Sequence, residues 1–357
     1  MLKETMMDYI HEEEKTCREI ISNYNDNLQS FKQLIDEKQP KHWLILATGS
    51  SLNATLSAKY YMEKMAGISI EVIEPFTFVH YEKVKSSTDF ILAISQGGHS
   101  SSTIEAVKKA NSLGNIPTAV LTANLDSPIA NATDLVIDIG SGVEKVGYVT
   151  KGFSATVLTL MLMGMVAGHV LGNLSEEEVL KEIAEFDVAI ESIPSVIERT
   201  ESFYRQFADE LNQIPRFATV GYGPTVGTAK ESETKFTETV RVPTQGFELE
   251  AFMHGPYLEV NESYGLYFIQ TKSPHATRLK KLSAYFSGYT DHCFTIATGN
   301  ADGNKTLSIG IELDEFKSPL LLVIPFQILA YRITTGRGID LQEDIFGDFD
   351  DILKSKI

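Results

Sequence analysis

The chain has 357 residues, 43% of them hydrophobic, with 48 acidic against 31 basic side chains and a formal net charge of −17. That length supports one large or two ordinary cores. The acidic balance argues against nucleic acid or an anionic membrane as partner, while leaving a small anion free to answer to the local field of a pocket.

Residues 1–40 carry Ile20, Ile21, Leu28, Phe31 and Leu34 at helical spacing in a polar background. The opening MLKETMMDYIHEEEK has no apolar h-region, so no signal peptide is expected. A strand is predicted at 43–47 and ends in Thr48-Gly49-Ser50-Ser51, with a helix through Ala54 to Met65. Further strands are predicted at 69–73, 90–94, 118–121 and 135–139, with a helix from about Ile104 to Leu113. The apolar run 157–171 contains Thr159, Gly164, Gly168 and His169 and is short for a membrane span, so it reads as a buried helix. Strands alternating with helices predict an α/β protein with parallel sheets flanked by helices.

The same grammar returns in the second half. Leu44 to Ser50 matches Phe217 to Gly223, and strands at 265–270 and 293–297 have counterparts before Ser95 and at Thr118. The chain therefore reads as an internal duplication. The boundaries expected are a helical segment at 1–30, domains at 31–174 and 214–339, an acidic helical linker at 175–213 and a polar tail at 340–357. The tail is expected to wrap over a neighbour or cover a pocket. Stretches 158–170 and 320–329 are too apolar to face water, so pairing of two copies is expected unless the domains bury them internally. Cys17 and Cys293 give neither a disulfide framework nor metal spacing. A reducing cytoplasm fits, and no metal or other cofactor is expected.

Three stretches carry chemistry. Ser50 and Ser51 follow one strand, and Ser95, Gln96, Gly98, Ser100, Ser101, Ser102 and Thr103 follow another. Hydroxyls and unpaired amides at helix starts either cap the helix or cradle an anion. No Gly-Lys-Ser/Thr follows and no Gly-x-Gly-x-x-Gly is present, so neither nucleotide loop applies. His99 could add charge there or simply cap. A second stretch, Glu144 to Lys151, holds Gly147 and Val149, where the glycine permits close backbone approach. The third runs from Gly221 to Pro256. A strand and a glycine turn lead into a helix with Glu231, Lys235 and Glu238 on one face, followed by His254 in a His-Gly-Pro turn. A solvated i, i+4 pair and a structural histidine would explain these separately. Together they suit proton transfer beside an anion site.

Taken as a set, the residues Gly49-Ser50-Ser51, Ser95-Gln96-x-Gly98-x-Ser100, Glu144 with Gly147 and Thr150-Lys151, and Glu231, Glu238 and His254-Gly255-Pro256 resemble sugar isomerase (SIS) domains. The likeness extends from about residue 30 to 345. It points to the isomerase half of glucosamine-6-phosphate synthases and, nearer still, to stand-alone double-SIS phosphosugar isomerases, deaminases and deglycases. The resemblance implies two flavodoxin-like three-layer sandwiches, a sugar 6-phosphate ligand and a homodimer with shared sites. It places Ser51, Ser95, Gln96 and Ser100 at the phosphate, and Glu238 as acid/base between C1 and C2. His254 would open the sugar ring in the neighbouring subunit's pocket, with Glu231 and Lys235 at supporting, amine-handling positions. This sequence departs from the synthases at Gly97 and Val149, each in place of a serine, and at His99, in place of a glutamate. The synthases' C-terminal lysine has no match in register, since Lys354 and Lys356 lie further on. No stretch of these residues reads as a glutaminase domain, so no glutaminase activity is expected. The expected activity is isomerase, deaminase or deglycase chemistry on an amino-sugar or sugar-amine 6-phosphate; the alternative is a non-catalytic sugar-phosphate sensor.

Overall fold

The computed structural model describes residues 4–133, 135–343 and 345–357. The chain separates into two compact units. One comprises Lys15–Lys145, Lys151–Asp187 and Asp344–Ile357; the other comprises Met1–Glu14, Val146–Thr150 and Val188–Glu343.

Two helices, α1 (Met6–Asn27) and α2 (Gln29–Lys38), precede the first sheet. Its strands are β1 (His42–Leu46), β2 (Ser69–Ile73), β3 (Phe90–Ile94), β4 (Thr118–Thr122) and β5 (Leu135–Asp138), all parallel in the order β2-β1-β3-β4-β5. Between them run α3 (Gly49–Ala66), α4 (Pro75–His80) and α5 (Ser101–Ser112), and α6 (Lys151–Val170) follows. Central β3 is buried at every residue, as a strand covered on both faces must be. Trp43, Phe31 and Phe90 meet edge to face or tilted beneath this sheet, with ring centroids 5.0–6.1 Å apart. Glycines set the closest packing. A Cβ on Gly164 would come within 2.7 Å of the Met62 Cα, and one on Gly168 would overlap the Met65 carbonyl, so α6 lies directly on α3.

Two further helices follow, α7 (Glu176–Glu191) and α8 (Ile193–Leu211). The second sheet comprises β6 (Arg216–Gly221), β7 (Thr244–Glu248), β8 (Tyr264–Gln270), β9 (Cys293–Ala297) and β10 (Thr306–Ser308). Its order, β10-β9-β8-β6-β7, is the succession of the first sheet read from the other edge. The helices here are α9 (Thr225–Lys235), α10 (Leu249–Phe252), α11 (Ala276–Phe286) and α12 (Pro319–Gly336). A short α13 (Phe349–Leu353) ends the chain's regular structure. Two parallel five-stranded sheets with one connectivity are the product of the duplication read from the sequence.

Strand β7 was not expected, because Thr-Gln-Gly-Phe-Glu carries no apolar pattern. It pairs because Gly246 has no side chain to hold α9 away: a Cβ there would strike the Ala229 carbonyl. Its amide donates to Glu233 Oε2 at 2.7 Å. Two helices, α6 and α12, are long and apolar enough to cross a membrane, yet 89% and 78% of those windows are buried inside the protein. A single chain thus buries most of both stretches, the alternative to pairing that the sequence left open, so their apolarity alone does not call for a second copy.

Candidate functional site

In the first sheet β1 and β3 are neighbours, and the chain leaves them in opposite directions, toward β2 and toward β4. Ligands of open α/β sheets bind at such a switch point, outside the carboxyl ends of the strands. Both serine loops lie there. Thr48 is extended and Gly49 has φ +56°, so α3 begins at Gly49 rather than at Ala54. Ser50 and Ser51 therefore occupy its first turn, half-buried. After β3, Ser95 is buried and its amide continues the ladder to the Leu121 carbonyl at 3.1 Å. The Gly98 amide closes back on the Ser95 carbonyl at 3.1 Å, with φ +74° at Gly98. A Cβ at that position would overlap the Ser127 side chain, so glycine is required for both space and conformation.

Ser100 forms the N-cap of α5, and Thr103 Oγ1 donates to its hydroxyl at 2.9 Å. That leaves the Ser100 proton for another acceptor, such as Ser102 Oγ at 3.4 Å. The amides of Gln96, Gly97, Ser100 and Ser102 find no acceptor among the described residues. Unpaired donors at the start of a 12-residue helix, flanked by serines, are suited to cradle an anion.

The Gln96 side chain is tied down. Its Nε2 donates to Glu144 Oε2 at 3.0 Å, and the Gly152 amide donates to Glu144 Oε1 at 3.3 Å. A Cβ on Gly152 would overlap the Gln96 amide, with the nitrogen end nearest and the oxygen end farthest.

The tail returns to this same loop. Ser100 and Lys356 form an antiparallel bridge. The Ser101 amide and hydroxyl donate to the carbonyls of Ser355 and Lys354, at 3.1 and 2.6 Å. The Ile357 amide donates to the His99 carbonyl at 3.0 Å, and His99 Nδ1 lies 2.5 Å from the Ile357 carbonyl. His99 is thus committed to the tail rather than offered to an anion. Lys354 and Lys356, out of register in sequence, are carried back to the serine loop by this strand.

The other unit carries the carboxylates. Glu231 and Lys235 are wholly buried, with Lys235 Nζ 3.5 Å from Glu231 Oε1 and hydrogen-bonded to Glu238 Oε1. The three residues meet as their spacing predicts, but not on one regular helix. Residues Phe236–Val240 form a π turn in which the Arg241 amide reaches five residues back to the Phe236 carbonyl at 3.0 Å. Thr239 Oγ1 donates to the Lys235 carbonyl at 2.7 Å. Single π turns recur at functional sites because they re-aim a side chain. Here Glu238 is the member of the trio that retains solvent access, with 31% of its side chain exposed.

His254 is exposed beyond α10, and its Nδ1 lies 2.7 Å from the Glu250 carbonyl. A carbonyl only accepts, so Nδ1 carries the proton and Nε2 of the neutral ring is the acceptor. Gly147 is exposed and Val149 half-buried in the irregular chain before α6. That segment is anchored where Gln327 Nε2 donates to the Thr150 carbonyl at 3.0 Å.

The duplication placed a second crevice beside β6 and β8, and Tyr222 fills it. The tyrosine hydroxyl lies 2.9 Å from Thr271 Oγ1 and accepts from the Thr271 amide at 3.2 Å. Gly49 stands at the corresponding position after β1. In the second half the Tyr222 hydroxyl thus takes the Thr271 amide, a role no side chain can fill at Gly49 in the first.

Residues 38–167 match the SIS domain model. The chain is 28% identical over 305 residues to glutamine–fructose-6-phosphate aminotransferase [isomerizing] of Pyrobaculum aerophilum, covering 83% of this chain and 49% of that protein. It spans about half the length of the curated relatives it matches. Among solved structures, a Clostridium difficile protein provisionally assigned as a phosphosugar isomerase superposes with a TM-score of 0.89 at 27% identity, covering 98% of each chain. The C-terminal domain of glucosamine-fructose-6-phosphate aminotransferase from Francisella tularensis has the same fold, with a TM-score of 0.84 at 20% identity and coverage of 96% and 99%.

Proposed function

We propose that this chain, an SIS-domain protein homologous to the isomerase part of glutamine–fructose-6-phosphate aminotransferase, is a phosphosugar isomerase-type enzyme acting beside the amine-bearing carbon of a hexose 6-phosphate. The observation that carries this reading is the buried Lys235 held against Glu231 and the solvent-reaching Glu238. The phosphate is a handle taken by Ser51, Ser95, Ser100 and the unpaired amides of the cradle, and its binding energy positions the reacting carbons. His254 takes the O1 proton as the C1–O5 bond breaks, and O5 is reprotonated, opening the ring. Glu238 then removes the proton from C2 of an aldose, or C1 of a ketose, as the carbonyl oxygen gains a proton, giving an enediol or enolamine. Return of the proton to the neighbouring carbon, as the adjoining hydroxyl or amine gives one up, isomerises the sugar. Where the product is an imine, water hydrolyses it and the amine leaves. Lys235 holds Glu238 in place and takes part in amine handling.

The likeness to synthases supports His254 being supplied by a second copy of the chain, so the working unit is a homodimer. Cys17 and Cys293 are reduced, which suits a cytoplasmic setting. The test is a coupled assay over amino-sugar, fructosamine and hexose 6-phosphates, scoring ammonia, amino acid and hexose phosphate release. Turnover of at least one member is expected, abolished by Glu238→Gln. Binding of sugar phosphates with no turnover of any member would instead make the protein a sensor.

A further inference from the structure

We propose that Glu144 fixes the orientation of the Gln96 amide, so that Gln96 presents a hydrogen-bond acceptor to the sugar rather than a donor to its phosphate. The inference rests on the sugar-phosphate reading above and assigns a specificity role within it.

A glutamine in a phosphate loop is ordinarily free to turn either end of its amide toward a ligand, because the two ends are nearly isosteric. Here one neighbour removes that freedom. The partner 3.0 Å from Nε2 is a carboxylate oxygen. An ionised carboxylate only accepts, so the group facing it must be the NH2, and a flipped amide would set two acceptors against each other. Glu144 is itself oriented, because its second oxygen takes the Gly152 amide in the first turn of α6. Gly152 completes the clamp. The nitrogen end of the Gln96 amide lies against its Cα, in the space a Cβ would occupy, and the oxygen end lies farthest from it. The Gln96 backbone is pinned as well, since its carbonyl takes the Ala123 amide at 2.9 Å and Thr122 Oγ1 at 3.2 Å. Oε1 receives no hydrogen bond from any described residue, and the residue is only half-buried.

Nε2 carries two hydrogens, one of them on Glu144, and packs against Gly152, so the end left for a ligand is Oε1, an acceptor that cannot bind phosphate oxygens. It binds a hydroxyl or an ammonium. The cradle thus divides its work: serine hydroxyls and backbone amides take the phosphate, and Gln96 Oε1 reads a donor group on the sugar chain. Glu144 touches no substrate in this scheme and is a positioning residue.

The test measures binding of fructose 6-phosphate and, separately, of inorganic phosphate by calorimetry, in wild type, Gln96→Met, Glu144→Gln, Gly152→Ala and the double variant Gln96→Met/Glu144→Gln. Gln96→Met should weaken the sugar phosphate roughly 3- to 10-fold, the worth of one neutral hydrogen bond. Inorganic phosphate should stay within about twofold of wild type. Glu144→Gln should reproduce that selective loss, because its carboxamide tolerates either end of Gln96. The double variant should be no worse than Gln96→Met alone, as expected when one residue acts through the other. Gly152→Ala, which displaces the Gln96 amide without altering Glu144, provides the same readout should Glu144→Gln fold poorly.

Equal losses for both ligands in Gln96→Met would make the side chain a phosphate ligand and overturn the proposal. So would additive losses in the double variant. If wild type binds neither ligand, the sugar-phosphate reading itself falls. If wild type binds both and every variant matches it, only the role assigned to Gln96 and Glu144 falls.

Discussion

Gly98→Ala probes the turn on which the cradle depends. Two costs can be worked separately. Holding a non-glycine residue at φ +74° costs about 1–2 kcal/mol. The new Cβ would also overlap Ser127 Oγ and Cβ, and forcing extra volume into a packed turn costs about 1–3 kcal/mol. Ser127 cannot swing away freely, since its hydroxyl donates to the Asn124 carbonyl at 2.6 Å. The sum is about 2–5 kcal/mol. With a urea slope of about 1–3 kcal/mol per molar, a loss of about 3 kcal/mol moves the unfolding midpoint down by about 1–3 M. The chain's one tryptophan, Trp43, is buried on β1 of the same sheet, so its fluorescence reports the unit that contains the turn. The companion variant Ser127→Gly removes the atoms struck by the new Cβ. In that background Gly98→Ala should cost only the backbone component, about 1–2 kcal/mol. A midpoint within 0.3 M (roughly the scatter of such extrapolations) of wild type for Gly98→Ala would refute this account. An equal cost in both backgrounds would refute the steric half of it.

Ser95→Ala should weaken binding of a sugar phosphate by about 1–3 kcal/mol, measured by calorimetry, and phosphorylated and unphosphorylated sugars binding alike would count against the cradle. Glu238→Gln should lower kcat on the best substrate on the order of 100- to 10,000-fold with binding retained; a change of only a few-fold would pass the role of base to Glu231. His254→Ala should be milder on substrates that open spontaneously, so a uniform loss over cyclic and open-chain substrates would show that ring opening is not its task. Burial pushes the Cys293 thiol up to about 11, with smaller opposing pulls from Ser287 and Lys305. Its alkylation at pH 8 should therefore run on the order of a hundredfold slower than that of free cysteine, and rapid labelling would contradict the burial.

Much of this protein was legible in the residues alone. The apolar runs of β1, β3 and β4 and the turns that end them fix strand positions locally, because a strand buried on both faces needs unbroken hydrophobicity. The likeness of Leu44–Ser50 to Phe217–Gly223 disclosed the duplication, and the 3.6-residue period predicted that Glu231, Lys235 and Glu238 would meet. What escaped depended on partners distant in the chain. Strand β7 exists because Gly246 admits the backbone of α9, not because Thr-Gln-Gly-Phe-Glu favours extension. The π turn at Glu238 arises where Thr239 and Arg241 redirect helical hydrogen bonds, which no hydrophobic pattern records. Nothing near Gln96 in sequence says that Glu144, 48 residues on, will choose which end of its amide faces outward. Nor do residues 354–357 reveal that they will pair with the serine loop, some 250 positions earlier. Periodicity and turn chemistry are local properties, so the sequence determined the elements and the candidate residues. The direction of a side-chain amide, the plugging of one crevice by Tyr222 and the return of the tail were decided only when tertiary folding brought their donors and acceptors within hydrogen-bond reach.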